Sequence, residues 1–222
     1  ADGSRISTGR RQPKSVAGYD LTSLLVGSEG TLAVITGIRL ALAPRPVHIV
    51  AAWLPFESVA DAAAAILAAR RSGLEPRALE LYDSVALQRA GRSADFPSSP
   101  DWGALLLVEL EGAPGAAEAE LSSFAEGLPR PPLSLRLVSD EAERRKLWAL
   151  RYRTSQQVKE GALGWLTEDI AVPLGNIPAM LAALGPIGAR HDLIVFGYGH
   201  AGDGNLHVNL LWEEASGAER IE

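Results

Sequence analysis

Apolar residues near the start of the chain gather in two short runs, TLAVIT at 31–36 and IRLALA at 38–43, parted by Gly37. Runs of this kind bounded by turn residues predict two strands, and the Pro-Arg-Pro that follows at 44–46 predicts a domain border. Beyond it, strand-like and helix-like periodicities alternate. VHIVAAWLPF predicts a strand, and Ser58-Val59-Ala60-Asp61 is a capping box opening an alanine-rich helix that stops at Gly73. LEPRALELYDSVALQ predicts a shorter strand and helix, WGALLLVELEG a strand, and GAAEAELSSFAEGL an amphipathic helix ending near Gly127. LSLRLVS is a further strand, and Asp140 with Glu143 caps a long helix reaching about Glu160, with Gly161 as its stop. LTEDIAVPL, a short helix from Ile177 to Leu184 and a hairpin beginning at Asp192 complete the pattern. Strands alternating with helices on an antiparallel sheet predict an α+β sandwich of ferredoxin-like type over 47–222, with 1–46 set apart from it.

Composition narrows the function classes. The 222 residues are 47% hydrophobic and 22% charged, a balance typical of globular domains. No run is long and apolar enough for a membrane span, and no apolar segment follows the basic residues of ADGSRISTGRRQP as in a signal peptide. With no cysteine, disulfides, thiolate metal sites and cysteine nucleophiles are excluded, so a metal must rely on histidine, carboxylates or carbonyls. The expected location is the cytoplasm, either free or peripheral to the membrane. A net charge of -6 with scattered basic residues lacks the electrostatic footprint of a nucleic-acid binder. The cluster Arg10, Arg11 and Lys14 reads as a solvated loop.

Two of the four histidines, His200 and His207, flank the turn in FGYGHAGDGNLHVNL. If Asp203-Gly204 forms a two-residue type I′ turn, cross-strand partners have numbers summing to 407, so His200 faces His207 and Asn209 faces Tyr198 on the same side. Side chains directly opposite have Cβ atoms about 4.5–5.5 Å apart, from which two imidazoles can converge on one ion. Such a pair with oxygen donors suits Zn²⁺, Mn²⁺ or Fe²⁺, with a third protein ligand, a carboxylate, required for a firm site, and no partner carboxylate is obvious nearby. Asp203 serves turn geometry. An ordinary stacked histidine pair stands beside the ligand reading.

VGSEGT, from Val26 to Thr31, is neither a dinucleotide fingerprint nor a phosphate loop. Gly27 and Gly30 allow close approach of backbone to a ligand, with Ser28, Glu29 and Thr31 as polar contacts; a plain tight turn is the other reading. In KLWALRYRTSQQVK, Trp148, Arg151 and Ser155 share one helix face. Arg151 there either clamps a carboxylate bidentately or snorkels to solvent.

Taken together, RRQPKSVAGYDLTSLLVGSEGTLAVITGIRL, LWALR, TEDIAVPL and GHAGDGNLH occur in the order found in a known family. The chain resembles the flavin-dependent D-lactate dehydrogenases and the D-type subunits of glycolate oxidase, flavoproteins of the vanillyl-alcohol oxidase type with an FAD-linked oxidase C-terminal domain. The resemblance implies that 1–46 closes the FAD-binding domain and that 47–222 is the cap domain for substrate and metal. It implies transfer of hydride from a D-2-hydroxy acid to FAD, with electrons passing on to an acceptor outside the chain. It further implies that His200 and His207 are ligands of a divalent metal, zinc or manganese. By the same resemblance Arg151, Ser155 and Asn209 contact substrate, and Gly27, Glu29, Gly30 and Ile35 lie along the flavin. The family's third metal ligand and its general-base histidine are expected beyond Glu222, and the glycine-rich pyrophosphate loop before residue 1. The 222-residue chain taken alone is therefore expected to hold flavin and metal weakly and to be inactive. Thr167 stands where a hydroxyglutarate-specific relative carries a lysine, which weighs against a second carboxylate on the substrate, and D-lactate is favoured because RRQPKSVAGYDLT resembles the D-lactate dehydrogenase branch more than its neighbours. The D-type subunit of glycolate oxidase is the alternative within the family, and a non-catalytic module for docking partner subunits is the alternative outside it.

Overall fold

The computed structural model describes residues 3–10, 12, 14, 16–92 and 98–214, so Arg11 of the basic cluster lies outside the described residues. The chain divides into two compact units, Ala1–Arg45 and Pro46–Glu222.

In the first unit, helix α1 (Leu21–Leu25) opens at Asp20, whose carboxylate accepts the Ser23 amide at 3.1 Å. The two strands expected over 31–43 do not form: the stretch has no ladder, and Leu32, Val34, Ile35, Ile38, Leu40 and Leu42 are exposed. β propensity describes a fit to a neighbouring strand, and no described residue supplies that neighbour.

The second unit follows the alternating pattern. Its elements are β1 (Ile49–Phe56), α2 (Val59–Ser72), β2 (Ala78–Asp83), α3 (Ser84–Ala90), β3 (Ala104–Glu111), α4 (Ala116–Glu126) and β4 (Arg136–Val138). There follow α5 (Glu141–Gln157), β5 (Gly164–Ala171), a 3-10 turn at Leu174–Asn176, α6 (Ile177–His191), β6 (Ile194–His200) and β7 (Asn205–Trp212). Ser58 caps α2 through the Asp61 amide, Gly73 ends it at φ +79°, and Asp140 caps α5 through Glu143.

All seven strands form one antiparallel sheet in the order β4-β1-β3-β2-β6-β7-β5. The first four strands, with α2 and α4, make the ferredoxin-like split βαβ arrangement, and β6, β7 and β5 extend the sheet past β2. One face packs Leu54, Leu81, Leu106 and Val108 against α2, α4 and α6. The other face packs Trp53, Leu107, Phe196 and Tyr198 against α3 and α5. Both faces of β1 and β3 are buried, so β1 reads as an unbroken apolar run and β3 as one from Ala104 to Val108, broken by the buried Glu109.

Helix α6 is about twice the expected length, running through Pro186 to His191. Proline there removes one helical hydrogen bond, but the turn after it brings Gly188 against β6, where a Cβ would lie 2.6 Å from the Leu193 carbonyl oxygen. Packing of that turn holds the helix together past its weak point.

Candidate active site

The hairpin register differs from the expected one. His200 pairs with Asn205, Tyr198 with His207 and Phe196 with Asn209, so paired numbers sum to 405 and the connection has four residues, Ala201 to Gly204. Asn209 therefore faces Phe196, not Tyr198. Contacts outside the hairpin set this loop: the Gly202 amide donates to the Leu79 carbonyl at 3.2 Å, and the Val172 amide to that of Gly204 at 3.0 Å. Asp203 accepts the Asn205 amide and does serve the turn.

A shift of two residues preserves the face, and the rings still meet. His200 and His207 are diagonal neighbours with ring centroids 5.3 Å apart, edge to face. Each Nδ1 is taken up by a carboxylate that sequence reasoning missed. Glu80, directly opposite His200 on β2, receives it at 2.5 Å, and Asp169, directly opposite on β5, bonds His207. A carboxylate accepts, so each Nδ1 carries a hydrogen, and in the neutral ring Nε2 is the nitrogen that keeps a lone pair. This carboxylate–histidine pattern is the one that orients metal-binding imidazoles, so the pair fits a divalent ion in its donor chemistry. Among the described residues, no group of three or more His, Asp or Glu side chains is placed to hold one ion.

Arg151 descends from α5 and gives its Nε to the second oxygen of Glu80 at 2.8 Å. Three positions earlier, Trp148 donates its indole N–H to the buried Glu109 of β3 at 2.5 Å, which keys the helix onto the sheet. Ser155 is half-buried and stands outside this cluster; the hydroxyl that reaches the sheet is that of the fully buried Thr154, against Tyr82. Tyr82 and Tyr198 stack with centroids 6.0 Å apart, and burial raises both phenols, against the pull of the Arg151 charge. Both stay protonated. Asn209 is fully buried, accepting from Thr167 at 3.0 Å and donating to the His207 carbonyl at 3.1 Å. A cleft of about 470 Å³ opens where β2 begins and β6 ends, with Arg70, Arg77, Glu80 and His200 in its wall. Its size suits a small ligand.

Gly27, Glu29, Gly30 and Ile35 belong to the N-terminal unit. Gly27, Glu29 and Gly30 all have positive φ, and Thr31 closes the turn onto the Ser28 carbonyl through both its amide and its hydroxyl. A Cβ on either glycine would meet nothing within 4 Å, and Ile35 is exposed. An open turn followed by an exposed apolar run fits a segment that lies along a flat cofactor.

Solved structures with this fold define the class. Alkyldihydroxyacetonephosphate synthase superposes with a TM-score of 0.61 at 16% identity over 93% of this chain and 45% of its own. Substrate-bound p-cresol methylhydroxylase gives 0.57 at 14% identity over 81% of this chain and 42% of its own. The fold is that of the C-terminal domain of vanillyl-alcohol oxidase type flavoproteins. Residues 45–222 match the family "FAD linked oxidases, C-terminal domain", and the chain belongs to it. Relatives include a mitochondrial D-lactate dehydrogenase [cytochrome] of Arabidopsis thaliana, 31% identical over all of this chain and 39% of its own length. Glycolate oxidase subunit GlcD of Bacillus subtilis (strain 168) is 31% identical over 93% of the chain and 44% of its own. A mitochondrial D-2-hydroxyglutarate dehydrogenase of Bos taurus is 33% identical over 97% and 40%. The chain thus spans about two fifths of the length of these relatives.

Proposed function

We propose that this chain forms the substrate-holding part of an FAD-dependent dehydrogenase that oxidises a small D-2-hydroxy acid, D-lactate foremost, to the 2-oxo acid. The observation that carries the proposal is the row on one sheet face: two imidazoles, each with its Nδ1 engaged by a carboxylate, beside the part-buried guanidinium of Arg151. Flavin, when bound, would supply the hydride acceptor, and a divalent cation such as zinc or manganese, if held here, would supply Lewis-acid polarisation of the substrate hydroxyl. His200 and His207 would hold that cation through Nε2. Arg151 spends Nε on Glu80 and keeps its terminal nitrogens for the substrate carboxylate. Asn209, locked by Thr167 and the His207 carbonyl, offers a fixed amide at the back of the site. The protonated Tyr198 lies tilted against the His207 ring, with centroids 5.5 Å apart. Thr167 is short and neutral, which suits a substrate with one carboxylate. In the N-terminal unit, Gly27, Glu29, Gly30 and Ile35 line the flavin. The protein works in the cytoplasm, free or against a membrane surface, with partner subunits as in the relative that is itself named as a subunit; among the described residues no helix is long and apolar enough to cross a membrane.

The test is turnover by the protein made from its full reading frame, with a dye acceptor and D-lactate, glycolate and D-2-hydroxyglutarate in turn. The expected result is bleaching of the flavin band by D-lactate and the highest kcat/KM for it. Failure of all three acids to reduce the flavin sinks the proposal, and preference for glycolate moves the assignment to the glycolate oxidase branch.

A further inference from the structure

The geometry points to Glu80 as the positioning residue that locks the cation-binding imidazole and the carboxylate-gripping guanidinium into one rigid frame, and so selects acids whose hydroxyl and carboxylate sit on adjacent carbons. The inference rests on the reading above and adds a residue to it. Strand alternation turns Glu80 onto the same face as Tyr82, and it is only 4% exposed between Leu107 of β3 and His200 of β6. A buried carboxylate costs several kcal/mol unless its oxygens are paired. Here each oxygen has its own partner from a different element: Oε1 the Nδ1 of His200 on β6, Oε2 the Nε of Arg151 on α5.

Two consequences follow from that division. First, Nδ1–H of His200 is held, which leaves Nε2 as its donor to a cation. Second, Nε of Arg151 is held, which fixes the guanidinium plane and directs the terminal nitrogens away from Glu80. Separately these are ordinary supporting contacts. Because one carboxylate makes both, the spacing between the cation site and the carboxylate grip is set by a single side chain. In a 2-hydroxy acid those two groups are one carbon–carbon bond apart, and a frame of fixed spacing rejects acids in which they are farther apart. Asp169, the partner of His207, is 66% exposed at its side chain and supports only one ring, so it has no such role.

The experiment uses protein from the full reading frame, with Glu80→Gln as the variant. A glutamine has one acceptor oxygen and turns its amide hydrogens toward the other donor, so only one of the two partners can be kept. After chelator treatment, Co²⁺ affinity read from its visible absorption should fall about 10–100-fold in the variant. The preference for D-2-hydroxybutyrate over D-3-hydroxybutyrate in kcat/KM should fall at least about tenfold, the equivalent of 1.4 kcal/mol. Arg151→Lys should raise KM while leaving Co²⁺ affinity within about twofold, because it keeps Glu80 on His200. If the unsubstituted protein binds Co²⁺ and turns over, but Glu80→Gln matches it in both affinity and preference, the assignment of Glu80 fails alone. If the unsubstituted protein neither binds Co²⁺ nor turns over, the functional reading falls and takes the inference with it. A measurement on the unsubstituted, metal-free protein decides the case even where the variant does not fold: ¹⁵N NMR of labelled histidine, taken at a pH where the ring is neutral, should show His200 with its hydrogen on Nδ1, and a neutral ring with its hydrogen on Nε2 overturns the inference.

Discussion

Asp83 ends β2, starts α3 and is 7% exposed, and its substitution by asparagine makes a quantitative test of the fold. One carboxylate oxygen accepts the Ala86 amide at 2.8 Å and the other the Gly197 amide of β6 at 2.7 Å, where the β2–β6 ladder stops. Burial pushes its pKa from 3.8 up to about 6, against the pull of the backbone amides of Ala86, Gly197 and Val85. Between those pH values the native state binds more protons than the unfolded one. The contribution is therefore complete below about pH 3.8 and is lost as pH rises through about 6. A shift of this size corresponds to about 3 kcal/mol over the whole window, of which about 2 kcal/mol falls between pH 4 and 7. Asp83→Asn does not titrate, and its amide group faces one of the two backbone donors, at a pH-independent cost of about 1–3 kcal/mol. Urea unfolding followed by tryptophan fluorescence at pH 4, 5, 6 and 7 separates the two effects. The stability of the unsubstituted protein relative to the variant should drop by about 2 kcal/mol from pH 4 to pH 7. Parallel pH profiles would show that burial does not govern this carboxylate.

Three further outcomes are expected. Arg89, 4% exposed on α3, donates to the Val158 and Glu160 carbonyls after α5 and to Glu213 after β7, so Arg89→Ala should cost about 2–4 kcal/mol in urea unfolding, and a loss under about 0.5 kcal/mol contradicts its role as a clasp. Gly204 has φ +85° and a Cβ there would lie 2.2 Å from the Val172 carbonyl oxygen; Gly204→Ala should cost at least about 1–3 kcal/mol and shift the ring resonances of His200 and His207, whereas an unchanged NMR spectrum would show the loop is not pinned by β5's exit. Thr167→Lys places a cation beside Asn209 and, in the full-length protein, should raise the kcat/KM ratio of D-2-hydroxyglutarate to D-lactate about tenfold, in line with about 1.5–3 kcal/mol for a charge-assisted contact; an unchanged ratio removes Thr167 from the specificity argument.

Local chemistry was legible wherever a few neighbouring residues decide the outcome. Ser58 with Asp61, Gly73 and Asp140 with Glu143 mark helix ends through hydrogen bonds that span three or four residues, and each holds in the structure. Legibility fell where the deciding partner is distant in sequence. The hairpin turn is two residues longer than Asp203-Gly204 suggests because Leu79 and Val172 hold its backbone, and α6 passes Pro186 because β6 packs on Gly188. Glu80 gave only a faint signal, a charged residue inside the apolar strand ALELYD, since its partners lie 71 and 120 positions away.

Residue order alone determined that strands and helices alternate, that His200 and His207 share one side of a ribbon, and that the chain resembles flavin-linked oxidases. Strand alternation has period two, so even a register shifted by two residues keeps those side chains on the same face. Only the tertiary structure decided which carboxylates meet the imidazoles and that a single one, Glu80, also holds Arg151. Hydrogen bonds between side chains require atoms within about 3 Å, and which residues come that close is set by how strands from distant parts of the chain are ordered in the sheet.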